Sequence, residues 1–467
     1  MSNQYDLLII GAGVSGSALL YLTTKYTDIQ HIGVIEKYSA PARVNSLSSN
    51  NSQTLHCGDI ETNYTLEKAL KVKRAASMLR HYAVAQSDAH HIIFKYPKMV
   101  LGVGARECEL LRERFKVFSP HYPHLKLLDK KAIARIEPNV AMKADKFRDD
   151  EILALGSTDE YTAVNFEALS RSFVRQAEIE AAEHPEKTID LHYNEYVDHI
   201  KIDKNGFIVE TDGVCYRAKS LVVCAGGHSL KLAHDMGYGH HYSVLPIAGS
   251  YYFTPHVLNG KVYTVQNDAL PFAAIHGDPD VLVPGATRFG PTALVLPILE
   301  RYNLNTLPDF LQVFRFDGRV AKVLWDLLKV ADIRNYMFKN MLFEIPIIRK
   351  VLFLKDVRKI IPSLKFKDLK FANKVGGIRP QLIDKEQCKL LMGEAKIDTG
   401  IGGIFNMTPS PGGTSCIENA EIDMRSIVKH LGATIDEAAL QEDLLGDDVQ
   451  HNEKDFAGVV ISGDNAY

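Results

Sequence analysis

The sequence predicts an α/β protein: a dinucleotide-binding domain assembled from separated segments, a substrate domain built on an antiparallel sheet, and an added helical layer. Three observations carry this. The apolar run Leu7-Leu-Ile-Ile10 leads into Gly11, Gly13 and Gly16, spaced G-x-G-x-x-G, and then into the helical pattern Ala18, Leu19, Leu20, Leu22. A second apolar run, Ser220-Leu-Val-Val223, is followed by the small residues Ala225-Gly-Gly227. Near the other end of the chain, Gly412-Gly-Thr-Ser415 opens one more helix.

The first run reads as a buried parallel strand. Gly11 makes the tight turn, Gly13 lets backbone approach a pyrophosphate, and Gly16 lets helix and strand pack closely. Val14 and Ser15 begin the helix, where free N–H groups and the dipole favour an anion. The next strand, His31–Ile35, runs into Glu36 and Lys37; Glu36 lies 20 residues past Gly16, where an acid meets a ribose hydroxyl.

Composition narrows the alternatives. A chain of 467 residues, 46% hydrophobic and 24% charged, has room for two intertwined domains with large cores. A net charge of −3 gives no reason to propose nucleic acid. The six cysteines form no C-x-x-C pair and no metal-ligand spacing, so no metal is expected and free thiols in a reducing compartment fit best. The first strand begins within five residues of Met1, and no run of 18 apolar residues exists. A cytoplasmic protein able to lie on a membrane is the expectation.

Further along, the polar loop 46–58 leads to a helix from about Thr65 with one apolar face. Short strands are expected at 92–94 and 99–101, a charged helix near 105–116, a helix at Leu125–Pro138 stopped by the proline, and a helix at Asn165–Ala181. A hairpin turns at Lys204-Asn-Gly206. Residues 245–300 alternate strand and turn, and 308–370 read as helical. The dinucleotide domain is therefore expected at 1–90, 165–235 and 375–435, the substrate domain at 91–164 and 236–374, and an acidic C-terminal tail at 436–467. Val197, Ala225 and Gly226 fall on the cofactor side of this division.

Glycine-rich turns at both ends of the chain imply a long cofactor, with a pyrophosphate on the first helix and a reducible ring at the positive end of the last, through Gly412, Gly413, Thr414 and Ser415. That favours a flavin over a nicotinamide.

These turns, Glu36, the loop Asn51-Ser-Gln-Thr-Leu-His-Cys-Gly58 and the strand end Ala225-Gly-Gly227 resemble the amino-acid-oxidase-like flavoproteins. Gln53-Thr-Leu-His56 running into Glu61-Thr-Asn-Tyr64, Ala163-Val-Asn-Phe166, Pro271–Asp278 and Gly377-Ile-Arg-Pro-Gln381 narrow the resemblance to FAD-dependent malate:quinone oxidoreductases, over nearly the whole chain. The resemblance implies a Rossmann-type FAD-binding domain, oxidation of (S)-malate to oxaloacetate, and a membrane quinone as acceptor. It also implies a peripheral position on the inner face of the cytoplasmic membrane. In the flavin-contact loop, Gln-Thr-Leu-His stands where the larger bacterial enzymes have Gly-Thr-Gly-His. Asn51, Ser52 and His56 are expected to contact the flavin.

Oxidising a 2-hydroxy acid needs a base for the hydroxyl proton and cations or donors for carboxylates. His276 is the candidate base, with Asp278 to orient it, since residues two apart on a strand share a face. A hydrogen-bonded structural histidine is the alternative, and His56 competes for the role. Arg379, on a turn restricted by Gly376-Gly377 and Pro380, is the carboxylate clamp. Gln53, Tyr64, Tyr251 and Gln381 are candidate substrate contacts, although Tyr251 also reads as a sheet aromatic.

Residues 310–370 carry 14 basic and 6 acidic residues among aromatic and aliphatic anchors. This suits a face lying on an anionic leaflet, from which a quinone would enter, and equally a core-packing layer with a solvated basic face. Oxidation of another 2-hydroxy acid, such as L-2-hydroxyglutarate, and a flavin-binding scaffold without activity remain the competing functions.

Overall fold

In the computed structural model, residues 3–143, 145–266, 275–343, 345–391, 393–407, 411–446 and 460–462 are described. The start of the Pro271–Asp278 motif, 271–274, lies outside them.

The strand Gln4–Ile10 pairs in parallel with His31–Glu36 on one side and with Cys215–Val223 on the other. Leu7, Leu8, Ile9 and Ile10 are all buried, as a strand covered on both faces requires. Among the described residues this sheet has nine strands. Thr188–Tyr193 lies beyond His31–Glu36, while Gly403–Met407 and then Ala395–Asp398 lie beyond Cys215–Val223. The chain thus winds outward from Gln4–Ile10 and returns on its other side. A crevice opens at the carboxyl ends of the strands, where such sheets bind ligands.

Helix Val14–Tyr26 packs on helices Phe166–Glu183 and Cys416–Leu431, burying Leu19, Leu22, Phe173 and Met424 in one core. The expected helix starts hold for local reasons. The Thr65 side chain accepts from Lys68 N, and the Asn165 side chain accepts from Ala168 N, each satisfying an otherwise orphaned donor.

The second region has two sheets. One contains Tyr252–Pro255, Ala286–Gly290, His276–Pro279 and Lys261–Thr264, the last paired in parallel with Lys98–Val103. The other pairs Tyr242–Ala248 antiparallel to Ile378–Asp384, opposing Ile247 to Arg379 and Leu245 to Gln381. Residues 378–384, assigned from sequence to the dinucleotide domain, therefore belong to the substrate-side sheet. Gly376 makes this possible: its φ is +122°, and a Cβ there would lie 2.0 Å from Gly249 O.

Two further expectations are corrected. Leu125–Pro138 is not one helix: Lys126–Leu128 is a strand, Asp129 caps a helix at Lys130–Ile136, and Pro138 begins the next short helix. Proline costs nothing there, because first-turn N–H groups have no intrahelical acceptor. The acidic end is not a tail at 436–446. Leu440, Leu444 and Leu445 are buried in the core, and Tyr26 donates to Asp443 at 2.9 Å. The helical layer comprises Leu307–Phe314, Gly318–Lys329, Ala331–Leu342 and Ile348–Val357.

Candidate active site

The crevice holds two adjoining pockets, which share Gly13, Asn45, Ser46, Cys224 and Gly226 in their linings and form the two ends of a trough. At the inner end, Gly11, Glu36, Lys37, Val197, Ala225 and Gly226 form the lining. Gly11 has φ +98°, and a Cβ there would sit 2.6 Å from Cys224 O; one on Gly16 would sit 1.9 Å from Gly11 O. Only glycine permits this turn. Gly16 therefore brings helix and strand together without itself facing the trough. Glu36 closes the end: Oε2 accepts from Ala12 N at 2.8 Å and Oε1 from Tyr38 N at 3.0 Å. Burial pushes the Glu36 carboxyl up, against the pull of those two N–H groups. Lys37 is held by Glu300, which also accepts from Tyr38 at 2.6 Å.

The outer end is lined from both termini of the chain. Gly13, Val14 and Ser15 line it together with Gly412, Gly413 and Thr414, and so do Asn51, Ser52 and His56. The two glycine turns thus meet in one cavity. His56 N donates to Thr414 Oγ1 at 3.0 Å, tying the loop to the C-terminal turn. Asn51 Oδ1 accepts from Gln53 N, and its Nδ2 donates to Asn45 O and Leu47 O. Ser415, expected at the ring, instead gives its hydroxyl to Glu394. Three residues that sequence reasoning missed also shape the trough. Ser46 Oγ accepts from Val14 N at 2.9 Å, Asn45 Oδ1 accepts from Ile378 N at 3.1 Å, and Phe166 packs against Gly413. Ser46 and Asn45 sit in an unpatterned loop, and Phe166 entered only within the Ala163-Val-Asn-Phe166 motif, with no site role assigned.

The substrate-side sheet supplies the opposite wall. Arg379 and Gln381, two apart on one strand, both line the cavity, as does Tyr251. The Arg288 guanidinium covers the Tyr251 ring at 4.6 Å; burial pushes the Tyr251 hydroxyl up while Arg288 and Arg379 oppose that shift. The Gln381 amide donates to Leu391 O. Tyr64 stands near Arg379 but outside the lining, with Lys68 Nζ 4.3 Å above its ring.

Two expectations about the wall are corrected. Gln53 is fully buried at φ +50°, its amide donating to Ser48 O and accepting from Val281 N at 3.0 Å, so it is spent on the loop. His276 and Asp278 do share a strand face, at 3.6 Å, but neither lines the cavity. The His276 ring stacks on Tyr263 at 4.3 Å, and Tyr263 in turn meets Thr54 at 3.0 Å, so Thr54 is the side chain facing the cavity. Asp278 lies among the buried cations Lys261 and Arg288, at 3.7 and 3.6 Å. Among the described residues no cluster could hold a metal ion.

Comparison with known proteins follows the same outline. The fold is shared with L-α-glycerophosphate oxidase from Mycoplasma pneumoniae, solved with FAD bound (TM-score 0.60, 18% identity, covering 92% of this chain and 96% of that one). It is shared likewise with glycine oxidase from Geobacillus kaustophilus (TM-score 0.62, 14% identity, 94% and 98%). Sequence is closer to a probable malate:quinone oxidoreductase of Campylobacter jejuni, 47% identical over 95% of this chain and 100% of that protein. The malate:quinone oxidoreductase of Helicobacter pylori strain 26695 is 42% identical over 97% and 100%. The family model for malate:quinone oxidoreductase matches residues 3–423, from the first strand of the parallel sheet into the helix behind Thr414. With the family model matching most of the chain and these relatives 42–47% identical along nearly all of it, the chain belongs to the malate:quinone oxidoreductase family.

Proposed function

We propose that the trough holds FAD and that malate lies over its ring against the wall formed by Tyr251, Arg379 and Gln381. The family reaction is oxidation of malate with a quinone as acceptor. Bound FAD supplies the two-electron relay, taking a hydride equivalent from malate C2 and releasing electrons to the quinone. The residues fit such a group: Gly11 and Gly16 leave room for a turn with nothing but backbone in it, and Gly13, Val14 and Ser15 present a helix N-terminus to a pyrophosphate. Glu36 and Val197 bound the nucleoside end. Arg379 binds a substrate carboxylate through two parallel N–H donors, and the half-buried position strengthens that pairing. The observation that carries this reading is the single cavity lined by Val14, Thr414 and Arg379, which come from three distant parts of the chain.

An absorption spectrum tests it. Purified protein should show two visible flavin bands that L-malate bleaches without air. Bleaching by 2-hydroxyglutarate and not by malate would overturn the substrate assignment.

The quinone reaches the site from a membrane, on whose inner face the helical layer lies. Among the described residues, more than half of the exposed large apolar side chains fall between 304 and 366, including Phe338 at 65% and Ile347 at 75% exposure. Monomeric proteins rarely leave such a patch bare. The surrounding basic excess of 310–370 adds roughly 1 kcal/mol per cation near an anionic leaflet. No described helix is long and apolar enough to cross a membrane, so contact is at the surface. Helix Ala331–Leu342 joins patch and cavity: Phe338 and Met341 face outward, while Asn340 Oδ1 accepts from the cavity-wall residue Ala293 at 2.8 Å.

A further inference from the structure

The molecule contains a second histidine–carboxylate pair, and its histidine lines the cavity. We propose that His56, oriented by Glu61, takes the proton of the malate C2 hydroxyl; this rests on the reading of the cavity as the FAD and malate site.

Four observations converge. His56 lines the cavity together with the two glycine turns, and its backbone is tied to Thr414. Its Nδ1 meets Glu61 Oε1 at 2.7 Å. With Nδ1–H donated to the carboxylate, the lone pair of the neutral ring is on Nε2, which has no hydrogen-bond partner among the described residues. Glu61 is itself buried, and its other oxygen has no hydrogen-bond partner there.

The loop that carries Glu61 is preorganised. Arg114 donates to Gly58 O, Asp59 O, Glu61 O and Tyr64 O, at 3.3, 3.3, 2.7 and 3.1 Å. Beneath it, buried Lys98 pairs with Asp59 at 2.8 Å and Glu160 at 3.1 Å. Burial drives the Glu61 carboxyl up, yet the His56 hydrogen bond and the Lys98 charge hold it below the ordinary range. Glu61 therefore remains a carboxylate. It keeps one ring tautomer and compensates the imidazolium that forms, as in other histidine-based proton transfers. Cys57 and Tyr64 flank the pair, and Arg379 stands near Tyr64. His276, by contrast, is separated from the cavity by Tyr263 and Thr54.

The balance closes within the family reaction. The malate O–H bond breaks and its proton goes to His56 Nε2; the C2–H bond breaks, and FAD held in the trough would take the hydrogen with its electron pair. C2=O forms, malate is oxidised by two electrons and FAD is reduced. The acceptor quinone would leave as the quinol with two electrons and two protons, one of which replaces the proton that the imidazolium returns to solvent.

The test uses full-length holoenzyme carrying H56Q, E61Q or H276N. FAD content is read from the spectrum, and anaerobic flavin reduction by L-malate is followed across pH. H56Q should keep FAD and slow reduction by about 10²- to 10⁴-fold, with the acidic limb of the pH profile lost. E61Q should slow it about tenfold or more and displace that limb, a change that mere loosening of the loop would not produce. H276N should stay within a few-fold of wild type. Reduction of H56Q at a near wild-type rate with an unaltered profile would overturn the assignment. So would a large loss in H276N with H56Q unaffected. If H56Q loses FAD, E61Q decides: an undisplaced limb overturns the proposal. Wild-type flavin that malate fails to bleach would instead refute the reading of the pocket.

Discussion

At Gly16 one missing side chain decides whether the cofactor domain closes. A Cβ 1.9 Å from Gly11 O cannot be absorbed by rotating a flexible group, because the obstacle is backbone. Gly16→Val should yield protein without visible flavin bands and with a lower melting temperature. At Arg379, proposed above as the carboxylate clamp, the consequence would fall on substrate. Arg379→Lys keeps the charge but loses the planar fork, so KM for malate should rise about tenfold with a smaller change in kcat; Arg379→Met should cost about a hundredfold or more in kcat/KM. The two residues were legible in sequence for different reasons. The glycine argument is local, since spacing and flanking runs contain the whole geometry. Arg379 was singled out by its flanking glycines and proline, but the turn expected there is corrected: the residue lies inside strand Ile378–Asp384, paired with Ile247. His276 shows where such reasoning stops: period-two alternation put it on one face with Asp278, but which layer that face meets depends on the partner strand and on Tyr263. Gln53 failed for a related reason. Its φ of +50° turns the amide into the loop, toward Ser48 and Val281, and nothing in the sequence announces a left-handed glutamine.

Among elements, the helix starts capped by Thr65 and Asn165 were readable, whereas those capped by Asp129 and Asp436 were not. Leu125–Pro138 was misread, because apolar spacing over so few residues cannot separate a strand followed by a capped helix from one longer helix. The four helices between 307 and 357 carry the clearest element-scale test. Trp325 and Phe338 are 61% and 65% exposed, so replacing both by serine removes apolar area without opening a core. Flotation with anionic vesicles should weaken by about tenfold, while malate oxidation with a water-soluble quinone analogue should be unchanged. Equal flotation of variant and wild type, or no sensitivity to salt, would count against a membrane-facing layer. Strand Ile378–Asp384 shows the converse of the misread helix. Its residues were expected near the substrate, yet its sheet could be assigned only once the antiparallel register with Tyr242–Ala248 was visible.

For the whole molecule, Glu137 links acidity to stability. The buried carboxylate accepts from Asn259 N at 3.0 Å and Gly260 N at 2.6 Å, but burial outweighs both bonds and raises its pKa to about 7. A carboxyl raised on folding binds its proton more tightly in the native state. Its contribution is therefore complete below the unfolded value near 4.5 and is lost as pH climbs to about 7. Thermal melting from pH 5 to 8 should show wild type losing roughly 1–3 kcal/mol from this group. Glu137→Gln should flatten that slope; an identical slope would remove Glu137 as its source. The C-terminal segment bears on the molecule at the same scale. Strand Gly403–Met407 completes the middle of the sheet, Thr414 reaches His56, and residues 436–446 lock onto the first helix through Tyr26 and Asp443. A nascent chain still attached to the ribosome has therefore built only half of its flavin cradle. Cofactor capture must wait until Gly412, Gly413 and Thr414 have been made, and products terminated before them should emerge as colourless substrates for proteolysis.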